Sequence, residues 1–170
     1  ESSLWQESLD TILADWDTMP TALCHRDFHA DNIMVTAQEN TLALHILDYQ
    51  DLSTGPYLYD LVSLSTDHYL PLDQGVINYL LSKTHPEQDI PLATQKHWHR
   101  CLAIQRHLKN LGVFARLALK SGKKQYLLHL PRMLHHMQLL CPQNTALPRL
   151  IHRLTHKWCQ YRLSQVRAIA

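Results

Sequence analysis

The stretch HRDFHADN, residues 25–32, gathers His25, Arg26, Asp27, His29, Asp31 and Asn32 between two apolar runs, TALC and IMV. A second polar cluster, DYQD at 48–51, directly follows LHIL. Asp and Asn offer hard oxygen donors, which suit Mg²⁺ better than a softer metal. Asn32 and Asp48 are therefore the candidate metal ligands, with Asp27 as a separate carboxylate nearby. Two groups holding Mg²⁺ on nucleotide phosphates, and one that accepts or orients the proton of an attacking hydroxyl, fit phosphoryl transfer. Such catalysis is mostly positioning and charge neutralisation. Each residue alone also suits a helix cap or a turn; the joint pattern is what asks for chemistry.

The elements that must position these groups can be read around them. IMVT (33–36), a turn at AQEN and TLALHIL (41–47) read as a hairpin. A hairpin returns on itself, so Asn32 and Asp48 should finish close together. TALC reads as extended, and Gly55-Pro56 as a turn. Ahead of them, residues 4–16 carry apolar side chains at helical spacing, with Ser3 and Gln6 as a capping box. Beyond Gly55 the pattern is helical. One helix puts Leu58, Leu61, Val62 and Ser65 on a common face and runs to about Tyr69. Others cover 73–84, 94–120, a segment with Pro131 in its first turn that ends near Leu140, and 147–168. The fold class is α+β, mainly α: a helical domain with one small β-hairpin sheet bearing the two polar loops.

Composition sets outer limits. With 45% hydrophobic and 18% charged residues, the chain is ordinary for a globular protein. A net charge of +1 creates no global field toward nucleic acid or membrane, and no apolar run approaches the roughly 20 residues of a membrane span. Cys24, Cys101, Cys141 and Cys159 lack C-x-x-C spacing, so they read as reduced thiols of a cytoplasmic protein. His152 and His156 lie four apart on a helix but have no H-E-x-x-H pattern around them.

Together, HRDFHADN and ILDYQD resemble the catalytic and metal-binding loops of the protein-kinase-like fold, in its aminoglycoside phosphotransferase and choline kinase branch. His25, Asp27, His29 and Asn32 fill the H-x-D-x-H-x-x-N pattern of that branch. Asp48-Tyr49-Gln50 lacks the glycine of a protein-kinase D-F-G, as is usual in the small-molecule branch. The resemblance implies Asp27 as catalytic base, and His25, Arg26 and His29 as loop-supporting or phosphate-contacting residues. It implies that Asp60, in GPYLYDLVSL, braces the catalytic loop through backbone hydrogen bonds. Segments 104–117 and 126–134 resemble one subgroup, bacterial kinases of the anomeric hydroxyl of N-acetylmuramate and N-acetylglucosamine. Asp51, His107, Lys109 and Arg116 are candidates for sugar or second-metal contact. Residues 94–170 contain no Asp or Glu, which suits an anionic substrate better than a polycationic aminoglycoside.

The resemblance implies ATP as co-substrate, Mg²⁺ as cofactor, an amino sugar as acceptor, and no nucleic-acid or membrane partner. The chain reads as the C-terminal catalytic lobe over 1–170. It has four glycines, no Gly-rich loop and no Lys before Lys83, and it begins at Glu1, so the N-terminal nucleotide lobe is expected to be absent and the isolated chain inactive. The alternatives are an aminoglycoside-, choline- or homoserine-type kinase, and a non-catalytic kinase-like binding module.

Overall fold

The structure is a computed structural model that describes residues 2–38, 41–67, 72–84 and 89–167. The chain divides into two compact units: Asp15–Ala103, and Glu1–Ala14 together with Ile104–Ala170.

Among the described residues, the first unit carries all the strands. β1 (Thr21–Cys24) pairs antiparallel with β4 (Ser53–Pro56), and β2 (Ile33–Gln38) with β3 (Thr41–Ile46). Among the described residues there are two two-stranded sheets, where the sequence predicts one, and Gly55-Pro56 ends a strand instead of forming a turn. Pro56 is tolerated because it closes an edge strand opposite Thr21. Gly55 lies opposite Ala22, where an added Cβ would come within 3.3 Å of Cys24 Sγ. The strand passes close to that thiol because Gly55 has no side chain. Cys24 is buried, and desolvation, with the Asp60 carboxylate adding to it, pushes its thiol up to about 11.

The predicted β2–β3 hairpin forms, with Ile33 opposite Ile46 at its open end, but β2 runs on through Ala37 and Gln38, which the sequence assigns to the turn. Its apolar side chains are largely uncovered; Leu42 and Leu44 are 75% and 69% exposed.

α2 (Tyr59–Ser65) follows β4 and is shorter than the predicted helix; Tyr69 lies outside the described residues. Leu58, Val62 and Ser65 are buried, as their common face requires. α3 (Gln74–Lys83) starts where Asp73 caps it, accepting from Val76 N at 3.0 Å. α4 (Leu92–Lys120) begins in this unit just after Pro91. Ser65 Oγ lies 2.7 Å from His99 Nε2 on that helix, and Tyr57 meets Trp98 edge-on.

The second unit is helical. α1 (Ser2–Leu13) and α5 (Leu130–Leu140) both pack on α6 (Leu147–Arg167). α1 ends before the predicted Trp16, which instead opens a 3₁₀ turn, Trp16–Thr18, in the other unit. The capping box does not form: Ser3 lies inside the helix, and Gln6 donates to Asp10 at 2.8 Å. Phe114, Ala118, Leu127, Leu130 and Met133 make a buried cluster, flanked by Trp158 and Tyr161. Pro131 occupies the first turn of α5, where no intrahelical N–H is required.

Candidate active site

The catalytic-loop candidates lie between β1 and β2. His25 directly follows β1; its ring is buried, and Nε2 donates to Leu47 O at 2.8 Å, a bond that requires the hydrogen on Nε2. Leu47 N donates in turn to Asn32 O at 2.9 Å, extending the hairpin ladder by one step beyond Ile33–Ile46. These two bonds tie the end of β3 to both ends of the loop. Asn32 and Asp48 are thereby brought to the same open end of the hairpin.

Asp27 sits in the middle of the loop with its side chain exposed. Asn32 Nδ2 donates to Asp27 O at 2.9 Å, which fixes the amide and leaves its oxygen available as a ligand. His29 Nε2 lies 3.3 Å from Asp27 Oδ2 and 3.4 Å from Asn32 Nδ2. As an N–H it donates to the carboxylate, and as a bare nitrogen it accepts from the amide. Asp60, in the first turn of α2, accepts from His25 N at 2.6 Å and from Arg26 N at 2.9 Å.

Among the described non-glycine residues, positive φ occurs only at Arg26 (70°) and Asp48 (61°). Asp tolerates the left-handed region fairly well, whereas Arg adopts it at a cost of the order of 1 kcal/mol or more. Both angles turn the chain right beside a candidate site residue, Asp27 in one case and Asp48 itself in the other. The Asp60 bonds at 25 and 26 hold the strained Arg26 in place.

Asp48 and Asp51 are exposed on the second loop, where Gln50 Nε2 donates to Asp48 Oδ1. His107, Lys109 and Arg116 belong to the helical unit. His107 is buried, with Nε2 2.8 Å from His136 Nδ1, while Lys109 and Arg116 are exposed.

Among the described residues no group of three or more His, Cys, Asp or Glu is arranged around a metal position. Asn32 and Asp48 would offer an ion two oxygen donors. That fits Mg²⁺, which takes few protein ligands and completes its octahedron with phosphate oxygens and water.

Sequence reading missed one residue here. Asp67, buried just beyond α2, accepts from Ala30 N at 3.1 Å. Its only sequence signal is a charged residue in the TDH segment after an apolar helix face.

Residues 2–91 match the Phosphotransferase enzyme family. The chain belongs to this family. It is 34% identical over 145 residues to an N-acetylmuramate/N-acetylglucosamine kinase of Neisseria meningitidis serogroup B, a match covering 81% of this chain and 42% of that protein. A kinase of the same name from Pseudomonas putida is 30% identical over 139 residues, covering 78% and 40%. One from Pseudomonas aeruginosa is 26% identical over 153 residues, covering 86% and 44%. The chain thus spans roughly two fifths of the length of these curated relatives.

Proposed function

We propose that the chain is the catalytic, C-terminal lobe of an ATP-dependent kinase that phosphorylates the anomeric hydroxyl of a cell-wall amino sugar, N-acetylmuramate or N-acetylglucosamine. The observation that supports the reading is that the Leu47–Asn32 bond and His25 on Leu47 O tie the second loop to the first, where Asn32 also donates to Asp27 O. The matched relatives are kinases of those two sugars. Family membership supports ATP as co-substrate.

In this reading Asp27 accepts the proton of the attacking hydroxyl, and its exposed carboxylate is open to the acceptor. His29 steadies that carboxylate. Asn32 and Asp48 would hold Mg²⁺ which, when bound, neutralises charge on the nucleotide phosphates. Arg26 is exposed beside them and suits a phosphate oxygen; Asp51 suits a sugar hydroxyl. The uncovered apolar residues of the β2–β3 hairpin suit a nucleotide-bearing N-terminal lobe seated over them. The absence of carboxylates after Asp89 favours the lactyl carboxylate of muramate over an aminoglycoside and leaves Lys109 and Arg116 as candidate sugar contacts. Three buried free thiols agree with a cytoplasmic setting. Among the described residues no helix is long and apolar enough to cross a membrane.

The test is substrate profiling of the protein that carries this lobe together with a nucleotide lobe. Incubation with Mg-ATP and either amino sugar should yield a phosphate monoester that has lost its reducing end. Phosphorylation of choline or an aminoglycoside instead, with the amino sugars untouched, would overturn the assignment. The 170-residue chain alone should turn over little or not at all.

A further inference from the structure

α2 touches the catalytic loop twice. At its N-terminal end Asp60 accepts from His25 N and Arg26 N, and just past its C-terminal end Asp67 accepts from Ala30 N at 3.1 Å. Asp27 lies in the span between these anchors. A seven-residue helix is about 10 Å long, so α2 works as a fixed spacer across the loop.

The two carboxylates differ in what their positions cost. Asp60 lies in the first turn of α2, where the helix dipole favours a negative charge. Asp67 lies beyond the last turn, where the dipole opposes one, and it is only 6% exposed. A buried carboxylate at the unfavourable end of a helix needs compensating donors, and Ala30 N is one of them. Ala30 opens the 3₁₀ turn Ala30–Asn32 that presents Asn32. His29 ahead of it is fully extended, and Asn32 N donates back to His29 O at 3.0 Å. The Asp67 bond therefore fixes the start of the turn whose last residue is the candidate metal ligand.

We infer that Asp67 is a positioning residue of the catalytic loop: through Ala30 it sets where Asn32 and Asp27 stand. The inference rests on reading Asp27 as base and Asn32 as metal ligand. Asp67 touches no reactant and acts through the backbone.

The test uses the two-lobed protein, with turnover measured against both Mg²⁺ and sugar concentration. Asp67→Ala removes the acceptor. Ala30→Pro removes the donor and leaves Asp67 in place; the extended backbone of His29 is the conformation a following proline requires. Each should lower kcat by about 10- to 100-fold and raise the half-saturating Mg²⁺ concentration by about 5-fold or more, with the sugar KM within about twofold. Asp67→Asn keeps an oxygen for the Ala30 N–H and should retain most of the activity. If Asp67→Ala does not fold, Ala30→Pro and Asp67→Asn carry the same readouts.

Wild-type kcat and Mg²⁺ dependence in Ala30→Pro would overturn the inference. So would a fall in kcat with an unchanged Mg²⁺ requirement, the signature of lost folded protein alone. An Asp27→Ala control separates the two levels. If it loses turnover while the Asp67 and Ala30 variants do not, this inference alone fails. If it keeps turnover, the reading of the site fails and takes the inference with it.

Discussion

The two polar loops are built differently. Loop 25–32 is held from several sides: Asp60 at residues 25 and 26, Asp67 at residue 30, the His25 ring on Leu47 O, and Asn32 folded back onto Asp27 O. Loop 48–51 is exposed throughout, and the contacts described within it are local, Gln50 to Asp48 and Leu52 N to Tyr49 O at 3.3 Å. A base must meet a hydroxyl at a fixed distance, so its loop gains from rigidity. A metal ligand completes its geometry with the ion and the phosphates it binds. On the proposed reading, the first loop would be pre-set while the second would be completed by the ligand it binds.

The largest effect should come from the rigid loop. Asp27→Ala in the two-lobed protein should lower kcat by about 10³-fold or more, with Mg-ATP affinity changed by less than about threefold, read by steady-state kinetics and calorimetry. A large loss of nucleotide affinity would blur the division of labour between the loops. Next, Asp48→Asn should weaken Mg-ATP binding by about 10- to 100-fold with little change in thermal stability, because few contacts depend on it. Asp60→Ala should do the reverse of Asp48→Asn. It strands two backbone N–H groups and should cost about 2–3 kcal/mol in unfolding free energy, measured in urea on the chain itself. If the Asp60 variant were as stable as wild type, the rigid loop would not depend on its braces.

Smaller effects lie away from both loops. His136 titrates below its ordinary value because burial, Arg132 and His135 all disfavour its charged form. The unfolded chain therefore takes up the proton first. The contribution to stability is full above about pH 6.5 and is lost as the pH falls through the depressed folded value. The urea midpoint should fall modestly between pH 7.5 and 5.5, and less so in His136→Phe. Smallest of all, Cys159 is exposed and should alkylate before Cys24 and Cys141, which burial holds near a pKa of about 11.

Much of this was legible because the chemistry is local in sequence. Alternation gave the hairpin, and the hairpin brought Asn32 to Asp48. Pro131 announced its helix, and the pattern over 73–84 announced another. What stayed hidden depends on distant partners. Gly55-Pro56 reads as a turn because the strand character of the segment that it ends comes only from pairing with Thr21–Cys24. The first helix stops short of Trp16, whose segment turns around Asp15 O, while the Asp15 carboxylate meets His97 from α4. Asp67 carries no pattern of its own; its meaning appears only once Ala30 is seen beside it. His107, a candidate sugar contact by sequence, is instead buried against His136.

On the proposed reading, the rigid loop and the open loop meet at one metal. The direct measurement is a double-mutant cycle on Asn32→Ala and Asp48→Asn, reading the Mg²⁺ concentration at half-maximal turnover. Each single variant should raise it by about 10-fold or more, and the effect of the double variant should depart from the product of the two, because both side chains act on one ion. A double effect equal to that product would mean that the two side chains do not act together at one metal.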